Sequence, residues 1–106
     1  MPKYLIKASY TAEGVKGVMK DGGTKRRQAA EAAVKSTGGK MEAFYFAFGD
    51  ADALVIVDAP DNASIAAASM AIGASGLVTA KTVVLLTPEE VDQAVKKGAT
   101  YTPPRR

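Results

Sequence analysis

Between Phe44 and Val57 the chain is apolar on both of its alternating faces. The segments Phe44-Tyr45-Phe46-Ala47-Phe48 and Ala53-Leu54-Val55-Ile56-Val57 are joined by the tight link Gly49-Asp50-Ala51-Asp52. A hairpin with one wet face alternates apolar with polar side chains, so this pattern predicts two strands from which water is excluded on both sides. The chain's own helices can cover one side. A chain of 106 residues has little left to cover the other, which points to a second copy of the protein.

The remaining elements follow from periodicity and punctuation. Lys3 to Ser9 has strand composition, and Thr11 offers an N-cap to a helix whose inner side is expected to carry Val15, Val18 and Met19. Asp21-Gly22-Gly23 interrupts it, and a longer helix is expected from about Thr24 to Ser36, with Ala29, Ala30, Ala33 and Val34 inward, ended by Gly38-Gly39. Pro60-Asp61 opens another helix with Asp61 as N-cap and Ile65, Ala68, Ser69 and Ile72 as its inner stripe, closed by Gly73 and Gly76. The last strand is expected from Val78 to Leu86. Thr87-Pro88-Glu89-Glu90 then has the spacing of a capping box, which predicts a terminal helix to about Lys97. The domain is therefore expected to span residues 1–97, with 98–106 as an exposed tail.

Strand, helix, strand, strand, helix, strand is the order of the ferredoxin-like split arrangement, an α+β fold with a four-stranded antiparallel sheet. Right-handed crossovers place both helices on one face of the sheet and leave the opposite face bare. Large apolar side chains left there would form a patch of a size that monomers seldom expose, which two sheets packed face to face would hide.

Composition narrows the chemistry. With 47% hydrophobic and 24% charged residues the chain is of the ordinary globular kind. It holds no Cys, no His and no Trp, so disulfides, thiol chemistry, the usual zinc ligands, His or Cys haem ligation and imidazole base catalysis are all excluded. No cofactor and no metal site is expected. Met1-Pro2-Lys3-Tyr4 leads directly into a strand without an apolar leader, and no apolar run nears the roughly 18 residues of a membrane span, so a cytoplasmic location is expected.

A family resemblance is carried by Arg26 followed by Ala29-Ala30, then Gly38-Gly39-Lys40, the aromatic strand, Gly49-Asp50-Ala51-Asp52, Val55-Ile56-Val57, Ala59-Pro60-Asp61, Gly76 and Thr82. From Tyr4 to about Val91, the order and spacing of these residues resemble the GYD-domain family. Gly49 and Asp52 match its central motif, while Ala51 stands where a Tyr is expected, so no role of that phenol carries over. The resemblance implies a ferredoxin-like domain of the dimeric α/β-barrel kind and no established biochemical activity.

The candidate chemistry is sparse. Asp50 and Asp52 flank the hairpin link as a carboxylate pair, but two acids without a third ligand make an incomplete metal site, and Asp is a favoured turn residue, so the structural reading is preferred. Asp58 is expected to cap the next helix or to pair with a basic side chain. Residues 16 to 40 hold seven basic against two acidic side chains, a balance of +5, and residues 41 to 87 hold five acidic against one basic, a balance of −4. Such a basic stripe can attract an anion or a nucleic acid backbone, yet a charge run on a helix is more often its solvated face. Arg26 is the exception, because it precedes the inward Ala29 and Ala30 by three and four positions and is expected to border the core, paired with Asp50 or Asp52. Phe44, Phe46 and Phe48 share a strand face, but without an RNA-recognition signature they are assigned to core or interface packing, and a nucleic acid partner is not favoured. Tyr10 and Tyr45 are polar aromatic candidates for a pocket, and Lys7, Ser9, Thr79 and Lys81 for a wet cavity within a dimer or its rim. The Ala-rich stretch from Ser64 to Ala74 either packs closely on the sheet or leaves space for a ligand.

The leading expectation is a homodimer formed through the sheet face, binding a small or anionic ligand or serving in regulation or protein interaction, with no catalytic site legible in the chain. A cofactor-free monooxygenase-like or isomerase-like enzyme using Tyr10, Arg26, Asp50 and Asp52 is the alternative, and weak nucleic acid or anion binding by the basic helix the second.

Overall fold

A computed structural model describes residues 1–47 and 49–105, so the ring expected at Phe48 lies outside the described residues. The chain runs β1 (Lys3–Tyr10), α1 (Ala12–Asp21), α2 (Gly23–Ser36), β2 (Lys40–Phe46), β3 (Ala53–Asp58), α3 (Asn62–Ala74), β4 (Val78–Leu85) and α4 (Pro88–Lys97). The strands form one sheet in the order β2-β3-β1-β4, every neighbouring pair antiparallel, which is the ferredoxin-like α+β fold.

Local chemistry explains the helix boundaries. The Thr11 hydroxyl accepts the Gly14 amide at 3.2 Å, and the Asp61 carboxylate accepts the Ser64 amide at 2.8 Å. Thr87 and Glu90 complete a reciprocal capping box, with bonds of 3.1 and 3.0 Å, ahead of α4. Gly22, at φ 84°, separates α1 from α2 in a backbone conformation that side-chain-bearing residues avoid.

Alternation on the strands sorts side chains onto two faces. Tyr4, Ile6, Ala8, Ala53, Val55 and Val57 point beneath the helices and meet Val34 of α2 and Ile65 of α3 in the core. The buried Tyr4 phenol donates to Asn62 Oδ1 at 2.5 Å, tying β1 to the first turn of α3. Leu5, Leu54 and Ile56 lie on the other face and are only half-buried, with Tyr45 69% exposed beside them. Asp58 pairs there with Lys3, whose ammonium donates to Asp58 Oδ1 at 2.8 Å and to Glu42 Oε2 at 2.6 Å. Asp58 first and Glu42 second hold the Lys3 pKa above its ordinary 10.5.

The packing of α1 differs from the sequence expectation. Val15 is 43% and Met19 80% exposed, and the residue buried on this helix is Gly14. A Cβ at Gly14 would come within 2.2 Å of the Leu77 carbonyl oxygen, so α1 lies against the backbone leading into β4 and turns its larger apolar side chains outward. Every residue of α4 is exposed, and residues 98–105 carry no regular structure.

Candidate functional site: a cavity between the helices and the sheet

Small side chains on two neighbouring helices leave a gap in the packing beneath them. Ala29, Ala30 and Ala33 occur on α2 at the three- and four-residue spacing that keeps them on one face, and α3 brings Ala71, Ile72 and, at its C-cap, Ser75 to the same place. Below lie Ile6 and Ala8 of β1, Ala53 and Val55 of β3 and Phe44 of β2, all from the helix-facing side of the sheet. The result is a cavity of about 240 Å³. The edge-on packing of Phe44 against Phe46, with ring centroids 5.1 Å apart, stiffens one wall.

Two polar side chains line this cavity, Arg26 and Ser75. The Ser75 hydroxyl is already engaged, donating to the Ile72 carbonyl at 2.8 Å and accepting the Leu77 amide at 3.1 Å. Arg26 is half-buried, and among the described residues its guanidinium has neither an ion pair nor a side-chain hydrogen bond. The same Arg26 borders a second hollow of about 200 Å³, walled by Tyr10, Gly14, Gly17 and Leu77. Arg26 therefore stands where two spaces meet, with the alanines of α2 on one side and the ring of Tyr10 on the other.

The other candidate residues are distributed around the sheet. Asp52 does not pair with Arg26: its Oδ2 accepts the Tyr10 amide at 2.8 Å, while its own amide donates to Ala8 and its carbonyl accepts from Ala47, also at 2.8 Å each. This carboxylate ties the hairpin link to the end of β1, as a turn residue does. Asp52 and Tyr10 also line an apolar hollow of about 320 Å³ with Val15, Val18 and Phe46. Asp50 lies on the opposite face of the sheet with Lys7, Ser9, Thr79 and Lys81 around a space of about 260 Å³. There the β1–β4 register sets Lys7 directly opposite Lys81 and Ser9 opposite Thr79. Tyr45 stands on that same face, with the sheet between it and the Arg26 cavity that its neighbour Phe44 lines. Arg26 and Tyr10 are thus brought together, Asp52 is held beside Tyr10 by a backbone bond, and Asp50 and Tyr45 are separate from both. Of the cavity residues, Ser75 escaped the sequence reading, because the position of a helix C-cap over a cavity depends on how two helices cross.

Among the described residues no group of three or more acidic side chains is placed to hold a metal ion, and no helix is long and apolar enough to cross a membrane. Comparison with curated proteins and with solved structures gave no match. The GYD domain family model matches residues 4–95, nearly the whole chain, including every element that builds the cavity. The chain belongs to the GYD-domain family.

Proposed function

We propose that this protein is a homodimeric small-molecule-binding module whose ligand occupies the cavity between α2, α3 and the sheet. The observation that carries this reading is the cavity itself. Its volume of about 240 Å³ equals the share of roughly eight liquid waters, yet its lining is mainly apolar. Apolar walls with few polar groups are the usual form of a ligand pocket. A space that served only packing would be filled by one or two larger side chains, since each methylene buried in place of a void stabilises a core by about 1 kcal/mol.

Support for the second copy comes from the other face of the sheet. Leu5, Leu54, Ile56 and Val83 form an apolar band across the middle of that face, while among the described residues α2 and α3 pack on the opposite face and α4 buries nothing. Pairing two such sheets would hide both bands and enclose the polar space around Lys7 and Lys81. An enzymatic reading is less favoured, since the carboxylates that would act as acid or base do not share a cavity with Arg26.

Cavity filling tests the reading. Indole and 1-octanol are expected to raise the melting temperature of the wild-type protein, because a ligand at a hundred times its dissociation constant adds about 2.7 kcal/mol of stability. Ala33→Leu places a branched side chain in the space and is expected to melt at or above the wild-type temperature while losing the response to both compounds. An unchanged response in that variant would remove the cavity from consideration.

A further inference from the structure

Resting on the cavity reading, we infer that the ligand is a small amphiphilic carboxylate, with its anionic head on the Arg26 guanidinium and its apolar body among the alanines of α2. The cavity is mainly apolar, and of the two polar side chains that line it, Arg26 and Ser75, Arg26 alone carries a charge. Ser75 contributes no free donor, since its hydroxyl proton is given to the Ile72 carbonyl. The sole polar side chain lining the cavity with uncommitted donors, among the described residues, is therefore Arg26.

Among the described residues no acidic side chain provides its counter-charge. Among the described residues the ion pairs join Lys3 to Glu42 and Asp58 and Lys16 to Glu13, and Asp52 spends its carboxylate on the Tyr10 amide. Arg26 is half-buried at the edge of this apolar space, and an anion from outside would supply the partner that its guanidinium lacks. A carboxylate fits this group best, because its two oxygens match the parallel N–H pairs of the planar fork. A neutral apolar ligand would leave those donors facing hydrocarbon. A polyanion would lack partners, since the cavity contains one cation and no free amide or hydroxyl donor from a side chain.

Size limits the body of the ligand. With about 240 Å³ available, and roughly 30 Å³ for each water-sized unit of liquid, a chain or ring of roughly eight non-hydrogen atoms fits. The second hollow, toward Tyr10 and Gly17, begins at the same guanidinium and gives a head group larger than a carboxylate somewhere to extend. Nothing stands within 4 Å of the position a Cβ would take on Gly17, so that side is open.

Calorimetric titration of octanoate and 1-octanol into the full-length wild-type protein, Arg26→Gln, Arg26→Lys and Ala33→Leu decides the matter. These two probes share a hydrocarbon chain and differ in charge. Octanoate is expected to bind wild type at least tenfold more tightly than 1-octanol, Arg26→Gln to abolish that difference without weakening 1-octanol, Arg26→Lys to retain part of it, and Ala33→Leu to lose both. Equal binding of the two probes to wild type, with Ala33→Leu losing both, would overturn the carboxylate and leave the cavity reading standing. Binding of neither probe would overturn the two together. Octanoate binding that persists in both Arg26→Gln and Ala33→Leu would place the anion elsewhere on the basic helix and also overturn the inference. Melting curves of the four proteins distinguish a lost site from a lost fold.

Discussion

Gly14 is the residue whose lack of a side chain sets the position of a whole helix. The Thr11 amide donates to the Leu77 carbonyl at 2.9 Å, holding the start of α1 against the approach to β4, and a Cβ on Gly14 would meet that same carbonyl oxygen at 2.2 Å. Since the obstructing atom belongs to the backbone, it cannot swing aside. Gly14→Ala is expected to destabilise the protein by about 2 kcal/mol through overpacking, a fall in melting temperature of roughly 10 °C for a domain of this length. Gly17→Ala is the control: its Cβ meets nothing within 4 Å, and the gain in helix propensity is expected to stabilise by roughly 1 kcal/mol. Thermal denaturation of the two variants would show whether contact or propensity governs this helix. Opposite signs are expected.

At the scale of elements, the starts of α1, α3 and α4 are each defined by a side-chain oxygen, and for α3 that oxygen titrates. The Ser64 hydroxyl foremost, and then the Ser64 amide, hold the Asp61 pKa below its ordinary 3.8. A carboxyl whose folded pKa lies below its unfolded value contributes stability above the unfolded pKa, and that contribution disappears as pH falls through the folded one. Asp61→Asn retains a capping oxygen but does not titrate. Between about pH 5 and pH 3 the wild type is therefore expected to lose more stability than this variant, and denaturant titrations across that range measure the difference. Parallel curves would remove Asp61 from the acid response. The caps at Thr11, Asp61 and Thr87 were legible in the chain because a cap involves residues three positions apart. The inner side of α1 was not, because Val15 and Met19 announce an apolar face without naming what covers it, and Gly14 takes the contact instead.

For the whole molecule, the radius of gyration of 16.6 Å exceeds the roughly 13 Å of a compact domain of this length. Helix α4 accounts for the excess together with residues 98–105, since it follows the edge strand β4 and buries none of its ten residues. A helix so short is marginal by itself in water, and Val91 and Val95, four positions apart, give it an apolar side left open at 45% and 74% exposure. Both this helix and the apolar band on the sheet are unfinished surfaces in one copy, and the proposed dimer supplies cover for the band. Sedimentation velocity at ten micromolar is expected to show a dimer for wild type. Ile56→Lys, which puts a charge in the middle of the band, is expected to raise the dissociation constant at least a hundredfold, about 2.7 kcal/mol. A wild type that sediments as a single copy at that concentration would end the dimer reading.

Local rules in the chain determined the elements, their order, their caps and the two apolar faces of the central hairpin, because these depend on residues within a few positions of one another. They also marked Arg26 as a cation at the border of a core, from its spacing to Ala29 and Ala30. Only the tertiary structure decided what faces that cation. The sequence reading paired it with an aspartate, whereas in the fold Asp52 turns to the Tyr10 amide and Asp50 goes to the other side of the sheet. Whether small side chains on two helices close into tight packing or leave a cavity depends on how those helices cross above the strands. That is a distance between segments remote in the chain, and no local pattern encodes it.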